Sequence, residues 1–196
     1  MVQLPSSTIA FLYQSGVDHI RQGYEAAAEA LQNAARDAEA ASLDYASSGN
    51  DDSVYEFEDG QPVLISSTQH ELDYAQIEVA YSVRAIREAF VISSFHYWEK
   101  WARSITKLND PTKHTYEVVK KCFAKSHAIH QQLDQINRLT NILKHGSGAF
   151  RHARSLAKDR RDLFSHLPGL YGNWTISLSD ENVREALVIV SGSGPK

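Results

Sequence analysis

Two stretches of this chain, residues 7–46 and 68–107, each keep a helical period over about forty positions, and a segment of different composition separates them. In the first, Ile20, Tyr24, Leu31, Ala35, Ala38 and Tyr45 recur at steps near three, four and seven, as one face of a helix requires. Its alanine run "YEAAAEALQNAARDAEAA" has high helix propensity and lets a neighbour approach closely. Gly16 and Gly23 interrupt that propensity, so the first turns are expected to stand apart from the rest. In the second stretch Val79, Val83, Ile86, Phe90, Tyr97, Trp101, Ile105 and Leu108 form the stripe, with a gap at Ser93/Ser94 that leaves room for a crossing helix. The segment between, "SSGNDDSVYEFEDGQPVLISS", carries Gly, Asn, Asp and Pro and reads as an acidic connector with a short hairpin around "EDGQP".

"NDPT" ends the second stretch, with Asn109 and Asp110 in a turn and Pro111 in the first turn of a third helix. That helix is expected to reach Lys144 or His145, bent near Ser126, on a stripe of Val119, Cys122, Ile129, Leu133, Ile136, Thr140 and Leu143. Gly146 then suits a left-handed C-cap. Beyond it, "RHARSLAKDRRDLFSHL" reads as helix or helical turns, "PGLYGN" as a turn and "WTISL" as a brief strand. "SDENVREALVIV" reads as a final helix capped by Ser179 or Asp180. The expected fold class is all-α: an antiparallel helical bundle of two to three long helices plus short C-terminal helices, with a hairpin in the 48–66 connector.

The length of 196 residues suits a single domain over 1–196, large enough to bury its own core without staples. The lone Cys122 forbids an internal disulfide, points to a reducing compartment and reads as a small core residue. "MVQLPSSTIAFLYQSGVDHI" has no basic leader, and no apolar run approaches the roughly 20 residues of a membrane span. A cytoplasmic protein with no membrane partner is the expectation. Its net charge of −4 conceals an asymmetry: residues 1–99 hold 16 acidic against four basic side chains, residues 100–196 hold eight against 16. The contrast suits either helices that neutralise one another or a local anion-binding surface.

The basic half contains "NRLTNILKHGSG", Asn137–Gly148. Arg138, Asn141 and His145 share a helical face there, nearly opposite Ile129, Ile136 and Leu143, and Asp134 extends that face one turn back. This pattern allows two readings. In one, Asp134 and Arg138 are an ordinary i,i+4 surface pair and His145 answers the helix dipole. In the other, the face grips a phosphodiester. A histidine that titrates near neutrality can take the proton of a ribose 2′-hydroxyl, and the fixed fork of an arginine matches phosphate oxygens.

"RLTNILKH", with six residues between Arg138 and His145, resembles the R-x(4–6)-H motif of the HEPN superfamily. Arg160 and Arg161 to His166 share that spacing, so context carries the resemblance. "NILKHGSG" is similar to the N-x-x-K-H-G-x-G ending of some HEPN-like families, "SLAKDRRDLF" to their basic stretch, and "WTISLSDENVREALVIV" to their closing segment and helix. The resemblance spans about residues 117–190 and implies a metal-independent endoribonuclease, of toxin–antitoxin or antiphage setting, with no cofactor. It implies Arg138, His145 and Asn141 as catalytic residues and Lys144, Arg151 and Arg154 as substrate-binding ones. Glu99 or His96 would be an auxiliary group from an earlier helix. It also implies a homodimer with a shared cleft, RNA as the partner and a cognate antitoxin or other defence protein. The alternative is a catalytically silent helical module that binds RNA, a nucleotide or a protein.

Two further patterns compete. His127/His130 and His96/Glu99 set metal-ligand types at i,i+3, yet the chain has no Glu-x-x-His, so a bundled di-metal site is matched only in part. Tyr97, Trp98 and Trp101 suit a core or an interface better than a base-stacking platform. No P-loop, dinucleotide fingerprint, nucleophile elbow or zinc ladder occurs.

Overall fold

The computed structural model describes residues 5–168 and 174–196, so the turn expected at "PGLYGN" falls, after Pro168, outside the described residues. The chain is mainly helical. Its elements are α1 (Ser6–Ser48), β1 (Val54–Glu58), β2 (Gln61–Ser66), α2 (Thr68–Thr106), α3 (Tyr116–Phe123), α4 (Leu133–His145), α5 (Phe150–Asp159), β3 (Phe164–His166), β4 (Thr175–Ile176) and α6 (Asp180–Ser191). Short 3₁₀ turns at Gly146–Ala149 and Arg161–Leu163 flank α5. No helix among the described residues is long and apolar enough to cross a membrane.

The first long helix runs unbroken through Gly16 and Gly23, against the expectation of separate first turns. Gly16 is there for approach: a Cβ at that position would lie 1.9 Å from the Tyr97 hydroxyl oxygen. That hydroxyl donates to the Tyr13 carbonyl at 3.0 Å, so Tyr97 lies directly against the α1 backbone. The expected hairpin forms, β1 pairing with β2 antiparallel across Asp59–Gly60. Both turn residues have positive φ, 50° and 79°, which a two-residue type I′ loop demands and which Asp-Gly supplies.

Three expectations need correction. On α2 the fully covered line is Val91, Ser94, Phe95, Trp98 and Ala102, whereas Val79, Val83, Ile86, Phe90, Tyr97, Trp101 and Ile105 are half-buried on its flank. Ser94 joins the buried line because its hydroxyl donates to the Val91 carbonyl at 2.9 Å, which satisfies it without water. The third long helix is two helices, α3 and α4, and Pro111 precedes both. The break arises where backbone donors find side-chain partners. His130 N–H donates to Ser193 Oγ at 2.9 Å, and Gln132 N–H to His130 Nδ1 at 3.2 Å. Finally, Gly146 has φ 50° but ψ −128°, so it is a positive-φ hinge into the 3₁₀ turn and not a left-handed cap.

Packing divides the chain into two compact units, and both long helices contribute to each. One comprises residues up to Tyr24 together with Arg87–Lys196. Its core includes Tyr13, Val17, Tyr24, Trp98, Phe123, Leu133, Leu156, Leu163 and Leu187, all fully buried. Buried polar tips are matched: Tyr13 Oη donates to the Val190 carbonyl at 2.6 Å, and Trp98 Nε1 to the Ser193 carbonyl. α6 opens as the sequence indicates, with Ser179 as N-cap in a reciprocal capping box with Asn182. Its first residue, Asp180, accepts from Tyr24 Oη at 2.6 Å and from Arg87 Nε at 2.7 Å.

The other unit is Glu25–Ile86. Polar clips join its helical segments: Gln69 donates to Ser42 Oγ and to Asp73, both at 2.9 Å. Asp52 accepts from Thr68 N–H at 3.0 Å and from the Thr68 and Tyr45 hydroxyls. Those bonds, Thr68 first and then Tyr45, hold the Asp52 carboxyl down to about 2.

Candidate active site

The motif helix α4 is amphipathic because Leu133, Ile136, Leu139 and Ile142 fall on one side and are buried. At about 100° per residue, Arg138 and His145 point along nearly one bearing, Asn137 and Lys144 lie about 100° away, and Asn141 stands between the two pairs. α4 thus presents two adjoining polar faces. His145 is exposed at the helix end and Arg138 is about one-third exposed.

The second face borders an open cavity of about 370 Å³. α4 contributes Asn137, Thr140, Asn141 and Lys144; α2 contributes Phe95, His96 and Glu99. Thr115 ahead of α3, Tyr116 and Glu117 on it and His152 from α5 complete the wall. Four residues singled out from sequence, His96, Glu99, Asn141 and Lys144, therefore meet in one place. Arg138 and His145 do not line the cavity. Arg151 and Arg154 lie on α5, where with Lys158 they make an exposed basic ridge at i, i+3, i+7, without an ion pair among the described residues.

Local chemistry refines these placements. Asp134 is not the partner of Arg138: it accepts from Lys120 Nζ at 2.5 and 2.7 Å and from Tyr116 Oη at 2.6 Å. Burial opposes ionisation of Asp134, but Lys120 and Tyr116, with Arg138 nearby, outweigh it and lower its pKa. Burial, then Asp134, raise the Tyr116 phenol, which stays protonated. Arg138 instead makes a single 3.3 Å contact to Asp159 on α5. A half-exposed pair of that kind is worth about 0–1 kcal/mol, little enough for a phosphate to take the guanidinium from it.

His96 Nε2 lies 3.4 Å from Lys144 Nζ. Burial, and then the Lys144 charge, lower its pKa against the pull of Glu99. The imidazole is therefore neutral at neutral pH, and its Nε2 can accept a proton. Glu99 is held by Arg103 Nη2 at 2.7 Å and Nε at 3.1 Å, and Arg103 also donates to the Leu108 and His114 carbonyls. Glu99 thus anchors the turn after α2 as well as facing the cavity. Asn141 Nδ2 donates to the Asn137 carbonyl at 2.8 Å and to Asn137 Oδ1 at 3.1 Å. The Thr140 hydroxyl, on the cavity wall and only 2% exposed, has no hydrogen-bond partner.

The other patterns dissolve into structure, save Arg161 and His166, which stay exposed. Arg160 is tied to Asp162 and Glu185, both at 2.9 Å, which removes it from the second Arg-to-His spacing. His127 stacks on Phe123 with ring centroids 4.6 Å apart, while His130 accepts from Gln132. Among the described residues, no three His, Cys, Asp or Glu side chains are placed to hold a metal. Trp98 is a core residue, with Tyr97 and Trp101 half-buried beside Tyr13. Sequence reasoning missed Asn137, Thr140, His152 and Lys158. The i, i+4, i+7 spacing of Asn137, Asn141 and Lys144 was there to be seen; His152 required knowledge of how α5 folds back on α4. No family model, curated protein or solved structure matches the chain.

Proposed function

We propose that this protein is a metal-independent endoribonuclease of the HEPN type, working at the α4 ridge in a toxin–antitoxin or antiphage setting. The observation that carries this reading is the convergence of His96, Asn141, Lys144 and His152 on one cavity beside the Arg138/His145 face, next to the unpaired basic ridge of α5. In the proposed reaction His145 removes the proton of a ribose 2′-hydroxyl. The 2′-oxygen attacks phosphorus, the bond to the 5′-oxygen breaks and a proton returns to that leaving oxygen. The products are a 2′,3′-cyclic phosphate and a 5′-hydroxyl. Arg138 balances the charge of the phosphorane, Asn141 and Lys144 orient the strand, and Arg151, Arg154 and Lys158 hold flanking phosphates. A homodimer would place two such ridges in one groove and double its cationic character.

A binding-only module is the second reading, favoured by the Arg138–Asp159 contact, which a resting or inactive site would keep. One experiment separates the two: wild type, Arg138→Ala and His145→Ala incubated with single-stranded RNA in EDTA. Cleavage by the wild type, reduced at least a hundredfold in both variants, supports the nuclease; equal background in all three leaves the binding module. Size-exclusion mass reads the dimer separately.

A further inference from the structure

We infer that the hairpin of the acidic unit is a docking edge: β1 takes, as a third strand, an extended segment of a partner protein in which Lys or Arg alternates with apolar residues. The inference goes beyond the phosphodiester reading of α4 and does not depend on it. Backbone, faces and charge each narrow the occupant.

The backbone decides which edge is open. β1 and β2 form a two-stranded sheet, so each strand has one side without a neighbour. A two-residue loop is flanked by a hydrogen-bonded pair, and bonded and non-bonded pairs alternate from there. Glu58↔Gln61 and Glu56↔Val63 are thus the bonded pairs, and Tyr55 and Phe57 turn N–H and C=O away from β2. On the far side of β2, Pro62 has no N–H to offer and Ile65 has no opposite residue on β1. β2 is a blunted edge and β1 an open one.

The faces decide half of the partner's side chains. Cross-strand pairs share a face, so Tyr55, Phe57, Pro62 and Leu64 make one side of the hairpin and Glu56, Glu58, Gln61 and Val63 the other. The first side is apolar, yet all four of its residues are exposed, Phe57 three-quarters so. Three strands with an apolar face to cover hold together where two do not. A strand added at β1 sets every second side chain beside Tyr55 and Phe57, and apolar groups suit those places.

Charge decides the other half. The alternate side chains of an added strand lie opposite Glu56 and Glu58, and neither carboxylate has an ion-pair partner among the described residues. The unit's two cations, Arg36 and Arg84, belong to α1 and α2. Lys or Arg opposite the two glutamates makes favourable cross-strand pairs, whereas a phosphate backbone is repelled. The same charge turns away a second copy. Each two-fold register that bonds Tyr55 or Phe57 sets acid against acid: Glu56 on Glu56, Glu56 on Glu58, or Glu58 on Asp52 of the second copy.

The test uses the full, isotope-labelled chain and a synthetic peptide of alternating Lys and Val as probe. Two comparators have the same residues in two blocks, or Glu in place of Lys. The alternating Lys/Val peptide should shift the amide resonances of β1 and slow solvent exchange of the Tyr55 and Phe57 N–H groups. It should bind about tenfold tighter than either comparator. The double variant Glu56→Lys/Glu58→Lys should reverse the preference in favour of alternating Glu/Val. Tyr55→Thr/Phe57→Thr should weaken Lys/Val binding about tenfold. Both variants should melt at the wild-type temperature, because all four positions are exposed. Absent or equal binding of the three peptides, an unchanged preference after charge reversal, or no added protection at Tyr55 and Phe57 would overturn the inference. So would a homodimer, or binding to phosphatidylcholine vesicles, that Tyr55→Thr/Phe57→Thr abolishes, since the face would then belong to a second copy or a lipid surface.

Discussion

Glu25–Ile86 carries 13 acidic side chains against two basic ones, whereas the other unit, up to Tyr24 and from Arg87 onward, carries 11 against 18. Charge is therefore sorted by packing unit as well as by sequence half. Covering of apolar groups follows the same division. The basic unit hides Trp98, Tyr13, Tyr24 and Phe123 completely. The acidic unit leaves Phe57 75% and Tyr81 68% exposed, and every residue of β1 is exposed. A two-stranded hairpin of this kind has little of its own to hold it. The difference teaches that the two units depend on different forces, the one on a dry core and the other on polar clips and local turn chemistry.

The contrast breaks most visibly under truncation. Trp98→Ala should destabilise the protein by about 3–5 kcal/mol in chemical denaturation. Phe57→Ala, the same kind of deletion on the open hairpin, should stay within about 0.5 kcal/mol. Comparable losses at the two positions would mean that the hairpin is as well packed as the core.

Acid sharpens the comparison next, since each unit holds a bonded carboxylate below its ordinary range, Asp180 in one and Asp52 in the other. Arg87 and then Tyr24 lower the pKa of Asp180 in the basic unit. Thr68 and Tyr45 lower that of Asp52 in the acidic one. Each has a folded-state pKa below its unfolded value of about 3.9, so each contributes stability that is complete above that pH and fades as pH falls through the folded value. For Asp52 that window runs from about 4 to about 2. Arg87→Ala should cost about 1.5–3 kcal/mol at pH 7 and a smaller amount at pH 2, as read by urea midpoints. Loss of equal size at both pH values would show that Arg87 acts through packing alone.

More local effects come from a helix cap and a turn. Ser179→Ala removes the cap of α6 and should cost about 1 kcal/mol globally. Gly60→Ala, at φ 79° in open space, should cost about 1–2 kcal/mol of hairpin stability, confined to amide exchange in β1 and β2. A global loss from Gly60→Ala would tie the hairpin to the folding of the whole chain.

What the sequence discloses follows the range of the interaction. Local rules located α1 and α2 to within about two residues, the Asp-Gly hairpin and the Ser179 cap, because each depends on neighbours a few positions away. Breaks decided by distant partners were invisible. Ser193, 63 residues from His130, helps end the third helical stretch, and Tyr97 explains Gly16 from 81 positions off. The site divides in the same manner. Periodicity found the Arg138/Asn141/His145 face on α4, and resemblance suggested His96 and Glu99. The cavity that joins Asn141 to His96 and His152 exists only because α2, α3 and α5 close around α4.

Tyr13 and Val190 are hydrogen-bonded across 177 residues, and Trp98 is closed over by Ser193. At a ribosomal pace of about 5–20 residues per second, the opening turns of the chain wait roughly 10–35 s for their partners to be synthesised. Glu25–Ile86, continuous in sequence, faces no such delay. During translation the early aromatic side chains are thus uncovered for many seconds, and that interval is when a chaperone has most to offer this protein.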